Sequence, residues 1–205
     1  MCASQITNIA LVGIGSIGKR HHMAIEQIDN VNLAGIVDLS KHAKIYCDDK
    51  KIPLYENINN LKIDHNIDGV IISTPTILHH ENSIAALKLG LDVLIEKPIS
   101  ATANQAKEID KIAKDNNCKV LVGHQRRFYP LVLETKKIIS DKKIGKVIGL
   151  SGVWGLRKDR DYFEPEWRKK VSAGPIITNL IHDIDYMRFI FGEIHSVSSF
   201  SSNMI

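Results

Sequence analysis

Six residues, Gly13-Ile14-Gly15-Ser16-Ile17-Gly18, constrain this chain more than any other stretch, because of what flanks them. An apolar run, Ile6 to Val12, leads in, and a helix-like stretch, Lys19 to Ile28, leads out. A second apolar run, Val31 to Val37, then ends on an acid, Asp38. A lone GxGxxG is weak evidence, since glycine-rich turns are common. Strand, glycine turn, helix, strand and terminal acid within about 30 residues form the dinucleotide-binding fingerprint in its required context. Gly13 permits the tight turn, Gly15 lets backbone approach a pyrophosphate, and Gly18 lets the helix pack closely on the strand. Ser16 and Ile17 open that helix, whose free N–H groups and positive dipole end suit phosphate.

The rest of the first 125 residues repeats the rhythm. Strands are expected at Asn8 to Val12, Leu33 to Val37, Gly69 to Ser73, Asp92 to Ile95 and Lys119 to Val122, with a shorter one around Leu54-Tyr55. Helices are expected at Ser16 to Ile28, Lys41 to Cys47, Ile77 to Leu89 and Ala103 to Asp115. Alternating strands and helices of these lengths imply βαβ units and a parallel sheet. The run Gly69-Val70-Ile71-Ile72 is apolar on both faces, as a central strand covered on two sides must be.

After Gly123 the rhythm changes. Phe128 to Ser140 and Ile176 to Phe191 read as helices, Val147 to Trp154 and Ile194 to Phe200 as strands, and a charged, aromatic-containing loop lies between. Two strands and two helices are little material for an independent core, and the chain looks cut short. The expected fold is α/β: an N-terminal dinucleotide-binding Rossmann domain over 1–125, then part of an α+β domain over 126–205.

Composition narrows the partners. No apolar run approaches the roughly 20 residues that span a bilayer, and Met1 to Gln5 leave no room for a signal peptide before the first strand. Three scattered cysteines, Cys2, Cys47 and Cys118, form no CxxC pair, so reduced thiols in a cytoplasmic protein are expected. The net charge of +4 is modest and lacks an aromatic-interleaved basic stripe, which argues against nucleic acid. No spacing of histidines and carboxylates suits zinc, so no metal is expected.

Four further segments fall at the C-terminal ends of expected strands, where open α/β sheets bind ligands. They are Ser73-Thr74-Pro75-Thr76-Ile77-Leu78-His79, Glu96-Lys97-Pro98, Gly123-His124-Gln125-Arg126-Arg127-Phe128, and Trp167-Arg168 followed by Gly174 to Asp185. The lysine between Glu96 and Pro98 has a carboxylate beside it, and the proline pins the residue before it to an extended conformation. His182 lies on an expected helix whose Ile181, Ile184 and Met187 are apolar; a buried structural histidine and a general acid/base both fit that position. His21 and His22 follow the glycine turn on a helix and read as surface or packing residues.

The order GxGxxG, TPxxxH, EKP, RRFxP and HDxD resembles the glucose-fructose oxidoreductase, inositol dehydrogenase and rhizopine-catabolism family, from Ile6 to Gly192. The resemblance implies a Rossmann domain followed by a domain on a mostly antiparallel sheet, and nicotinamide-dependent oxidation or reduction of hydroxyl and carbonyl groups on sugars, cyclitols and related polyols. It implies Lys97 and His182 as the catalytic pair, with Lys97 bonding the substrate oxygen and His182 taking the hydroxyl proton. It places Gly13, Gly15, Ser16, Ile17, Gly18, Asp38, Thr74, Pro75, His79, Glu96, Lys97 and Pro98 around the cofactor. Around the substrate it places Lys97, Arg127, Trp167, Arg168, Thr178, Asn179 and His182. A homo-oligomer is expected.

One departure stands out. Many family members carry an aspartate one helical turn before the histidine, where this chain has Thr178 with Asn179 beside it. Neither can accept a proton as a carboxylate does. Asp38 favours NAD, since it would bond the ribose hydroxyls and repel a 2′-phosphate; Lys41 nearby softens that preference and leaves NADP as the second cofactor. The alternative function is a non-catalytic cofactor-binding protein or truncated remnant of such an enzyme.

Overall fold

The computed structural model describes residues 6–164, 166–169, 174 and 176–200, Trp167 by its backbone alone. The chain divides into two compact units, Met1–Gly123 and His124–Ile205.

The first unit is a six-stranded parallel sheet in the order β3-β2-β1-β4-β5-β6. Its strands are β1 (Thr7–Val12), β2 (Val31–Val37), β3 (Leu54–Tyr55), β4 (Gly69–Ile72), β5 (Asp92–Ile95) and β6 (Val120–Val122). Between them run α1 (Ser16–Ile25), α2 (Lys41–Lys50), α3 (Ile58–Asp64), α4 (Thr76–Lys88) and α5 (Ala103–Asp115). Chain order reverses between β1 and β4, the crevice where doubly wound sheets take ligands.

Period-two alternation splits the strands between two cores. Ala10, Val12, Val70, Ile72, Val93 and Ile95 pack with Ala86, Leu87, Ile109 and Ala113 of α4 and α5 on one face. Leu11, Ile36 and Ile71 pack with Ile25, Ala43 and Cys47 of α1 and α2 on the other. Both faces of β4 are buried, as its unbroken apolar run requires. Each fully buried leucine or isoleucine contributes about 1.5–3 kcal/mol, so these two layers hold the sheet edge rigidly.

Helix α3 has no counterpart in the sequence reading. Asn57 starts it, its side chain accepting the Asn60 N–H at 2.9 Å, and only Ile58 and Leu61 give it a buried side. Seven residues with two interior asparagines carry too short a pattern to read.

The second unit begins with a 3₁₀ turn, Gln125–Phe128, then α6 (Pro130–Ser140), and closes with a π turn, Ile176–Leu180, running into α7 (Ile181–Phe191). The expected helix from Phe128 is interrupted because Tyr129 precedes a proline and is extended, with φ −68° and ψ 133°. Among the described residues of this unit, Val132 of α6 and Ile190 of α7 are the buried apolar ones.

The strands expected at Val147 to Trp154 and Ile194 to Phe200 do not form, and among the described residues the only sheet is the parallel one. Among the described residues, then, no antiparallel sheet is formed. A β pattern needs a partner strand and a covered face, and a lone ribbon is marginal in water. Here Ile148, Val153 and Phe200 project almost wholly into solvent.

Candidate functional site

In-register pairing brings Val37, Val12, Ile72, Ile95 and Val122 into one row across the sheet. The next residues are Asp38, Gly13, Ser73, Glu96 and Gly123. Four of them extend the ladder by one rung: the N–H groups of Gly13, Ser73, Glu96 and Gly123 donate to Val37, Val12, Ile72 and Ile95 carbonyls at 2.8–2.9 Å. The glycine turn and the loops after β4, β5 and β6 thus leave one edge side by side, as expected of segments at the C-terminal ends of the strands.

The glycine turn is held from both flanks. Gly13 has φ +92°, and a Cβ there would sit 2.9 Å from the Thr74 nitrogen, so no other residue fits. A Cβ on Gly18 would lie 2.2 Å from the Gly13 carbonyl oxygen. The Ser73 hydroxyl donates to that same oxygen at 2.7 Å. Around Gly15, by contrast, a Cβ would meet nothing within 4 Å, and no side chain caps the helix that starts there. The turn is tight behind and open in front, at an uncapped helix N-terminus.

Asp38 completes it. One carboxylate oxygen accepts the Ile14 N–H at 2.9 Å and the other the Ser40 N–H at 2.8 Å. A carboxylate accepts about four hydrogen bonds, so lone pairs remain for hydroxyl donors. Close backbone approach at Gly15, exposed N–H groups at α1 and an anchored acid at the end of β2 fit a dinucleotide's pyrophosphate and ribose.

Beside the turn, Thr74 is half-buried, its hydroxyl accepting from Asn82, and exposed Pro75 precedes α4. His79 sits behind them, 1% exposed, with Nδ1 2.8 Å from the Pro98 carbonyl and Nε2 2.8 Å from that of Thr74. It ties the loop after β4 to the loop after β5 instead of facing open space. Burial lowers its pKa, outweighing the two carbonyls and the Glu96 charge, which act the other way.

Lys97 is half-buried and Pro98 buried, on the loop that leaves β5, and the bond joining them is cis. The Glu96 carboxylate accepts the Lys97 N–H at 3.2 Å, and its other oxygen lies 2.9 Å from His21 Nε2. Burial pushes the Glu96 carboxyl up, but the His21 hydrogen bond and charge, with the N–H and charge of Lys97, outweigh it and hold the pKa below its usual value. His22 is the packing residue expected, its Nδ1 2.8 Å from the Tyr46 hydroxyl. His21 is neither surface nor core. The signal was available: it lies three residues after Gly18, on the helix face that glycine presses to the sheet.

In the second unit His182 is 7% exposed, on the first turn of α7. Its ring meets that of His124 edge to face, centroids 6.3 Å apart. Asp185 is buried and binds Arg127 through both nitrogens of a fork, Nε at 2.8 Å, with His124 Nδ1 3.6 Å away. Burial raises the Asp185 carboxyl; Arg127, His124 and Arg188 more than reverse that and hold it low. Arg126 pairs with Asp183 at 3.1 Å. The HDxD carboxylates therefore answer the RR pair, two ion pairs that no spacing in the sequence disclosed.

Thr178 donates to the Gly174 carbonyl at 3.1 Å and accepts from Asn179 at 2.9 Å. Arg168 donates to the Tyr162 carbonyl at 2.9 Å and stacks on the Tyr162 ring. The Trp167 side chain lies outside the described residues. Among those residues no group of histidines, cysteines and carboxylates could hold a metal ion.

A parallel sheet of this order, with a glycine turn after β1 and an acid after β2, defines a Rossmann dinucleotide-binding protein. More narrowly, the chain belongs to the Gfo/Idh/MocA oxidoreductase family: the family model described as an oxidoreductase family with an NAD-binding Rossmann fold matches residues 7–124. The GFO/IDH/MocA C-terminal domain matches residues 132–205. An inositol 2-dehydrogenase/D-chiro-inositol 3-dehydrogenase of Lactiplantibacillus plantarum is 30% identical over 198 residues, 94% of this chain and 55% of its own. A scyllo-inositol 2-dehydrogenase (NAD(+)) of Bacillus subtilis is 35% identical over 136 residues, 66% of this chain and 39% of its own. The crystal structure of myo-inositol 2-dehydrogenase from Lactobacillus plantarum superposes with a TM-score of 0.78 at 28% identity, covering 92% of this chain and 57% of that one. The chain spans about half the length of the curated relatives it matches. No helix among the described residues is long and apolar enough to cross a membrane.

Proposed function

We propose that this chain carries the cofactor half and part of the substrate half of an NAD-dependent oxidoreductase acting on a cyclitol, sugar or related polyol. One observation carries the reading: the row Asp38, Gly13, Ser73, Glu96 sets the open glycine turn and the Glu96-Lys97 loop on one sheet edge. The inositol-dehydrogenase relatives support a cyclitol as the first substrate to try. The expected domains, 1–125 for cofactor and 126–205 for substrate, and a cytoplasmic homo-oligomer belong to the same proposal.

When bound, the nicotinamide accepts or donates the hydride. Gly15 and the N–H groups at Ser16 and Ile17 would hold the pyrophosphate, and Asp38 a ribose, with Thr74 and Pro75 bordering the site. His79 supports both loops from behind. Lys97 Nζ would donate a hydrogen bond to the reacting oxygen and stabilise charge developing there. A ring nitrogen of His182 would take the hydroxyl proton, the general-base work imidazole side chains commonly do. Thr178 and Asn179 would contact substrate hydroxyls; Arg127, engaged by Asp185, would orient the helix that bears His182.

The test is a titration of the 205-residue protein with NADH followed by nicotinamide fluorescence, then a cyclitol and polyol screen read at nicotinamide absorbance. Saturable binding with turnover of at least one polyol is expected. Absence of binding by either NADH or NADPH overturns the reading, and binding without turnover of any polyol leaves only the non-catalytic alternative.

A further inference from the structure

We propose that His21 is a positioning residue for Lys97, acting through Glu96: the ring nitrogen on α1 pins one oxygen of the carboxylate whose other oxygen holds the lysine's own N–H. The proposal rests on Lys97 as the oxygen-binding group of the proposed reaction, and nothing in that reading assigns His21 a part.

Three features converge on the Glu96 carboxylate. His21 Nε2 lies 2.9 Å from Oε1. The Lys97 N–H donates to Oε2 at 3.2 Å. The third side is the backbone at Gly123, where a Cβ would stand 3.1–3.3 Å from the carboxylate, so only glycine leaves it full room. The charged groups acting on this carboxylate are His21 and Lys97. With both oxygens engaged, Glu96 has little freedom to rotate, and the Lys97 backbone it holds is fixed with it.

The arrangement also links two parts that must be aligned. Helix α1 begins at the open glycine turn, and His21 is about one and a half turns along the same helix. Its bond to Glu96 ties the phosphate-facing helix to the lysine-bearing loop directly. A donor hydrogen bond to a carboxylate is of the stronger, charge-assisted kind. Carried through the lysine's backbone, it fixes where the amine stands.

The experiment reads the lysine without requiring turnover. The 205-residue protein and its His21→Leu and His21→Gln variants are labelled with trace acetic anhydride at pH 8, and Lys97 acetylation is quantified by mass spectrometry against exposed Lys41. His21→Leu frees the carboxylate, the Lys97 backbone loses the anchor it held, and the amine becomes more open to the reagent. A rise of about threefold or more in the Lys97/Lys41 ratio is expected, as for a loop whose local opening becomes easier. His21→Gln, which retains a donor at similar reach, should stay within experimental error of the parent. NADH affinity should change less than about twofold in all of them, since no contact at the glycine turn is touched. An unchanged ratio in His21→Leu overturns the proposal, as does an equal rise in both variants. Should His21→Leu not fold, Gly123→Ala displaces the carboxylate from the opposite side and must raise the ratio as well; an unchanged ratio there overturns it equally. Failure of the enzymatic reading looks different: Lys97→Ala would then retain turnover whatever the labelling ratios show.

Discussion

Replacing Gly15 with alanine should separate cofactor binding from stability. In the folded protein a Cβ at this position meets nothing within 4 Å, and the backbone, φ −65° and ψ −166°, is one any residue adopts. Alanine restricts the unfolded chain by about 0.4–1 kcal/mol relative to glycine, while it is the poorer residue at a helix start by a similar amount. The two offset, so Tm should move by no more than about 2 °C, given about 2–4 °C per kcal/mol at this chain length. Binding is another matter. The methyl would occupy the space in front of the turn and hold a pyrophosphate off the α1 N–H groups. Losing two hydrogen bonds to a charged group, at about 1.5–3 kcal/mol each, weakens binding by about 10²–10⁴-fold. Titration with NADH, read by nicotinamide fluorescence, together with thermal unfolding measures both. Affinity within about threefold of the parent would refute the reasoning, because the open space would then not be where the phosphates lie. Gly18→Ala is the control of opposite character: its Cβ would sit 2.2 Å from a backbone oxygen, so the turn itself must shift, and an overpacking cost of about 1–3 kcal/mol should appear in Tm.

Lys97→Ala should abolish turnover with NADH affinity little changed, and His182→Ala should slow turnover by about 10²–10⁴-fold; near-normal kcat in either removes that residue from the chemistry. Asp38→Ala should lose the discrimination between NAD and NADP, read as the ratio of the two Kd values, and should loosen the glycine turn as well because the Ile14 N–H loses its acceptor. Asp185 has a depressed pKa in the folded state, so its stabilisation is complete above the unfolded value near 3.9 and is lost as pH falls through the lower folded value. Asp185→Asn should therefore flatten the acid limb of a pH-stability profile. Tryptophan emission is the probe, since Trp154 and Trp167 both lie in the second unit. The exposed apolar residues Ile148, Val153 and Phe200 should drive self-association, seen as a mass above the monomer by light scattering coupled to size exclusion.

What the residues disclose and what they conceal divides along the range of the interactions. Gly13, Gly18 and Asp38 are legible because each answers a constraint set within one βαβ unit: a positive φ, a 2.2 Å approach, an acid one rung past the strand. β4 is legible for the same reason, since burial on both faces leaves its run without polar residues. His79 half shows itself. Its spacing from Thr74 places it on the first turn of the helix that follows β4, yet its second partner, the Pro98 carbonyl, depends on β4 and β5 being neighbours. A polar side chain bonded across the sheet leaves no periodicity behind.

The second unit makes the point more sharply. The apolar alternation from Val147 to Trp154 carries strand propensity, but propensity only states that the segment would fit a pleated surface that something else provides. Among the described residues nothing provides it, and the segment stays unpaired with its apolar side chains in water. The Arg127–Asp185 pair runs the other way: 58 residues apart, invisible as a pattern, and yet formed. It forms because both partners stand on short helical segments, the 3₁₀ turn from Gln125 and α7, which can form their hydrogen bonds locally before they meet. A segment that satisfies its own backbone can carry a site residue to its partner. A strand must first find another strand, and that requirement, rather than any weakness in its pattern, leaves the expected sheet of the second unit unformed here.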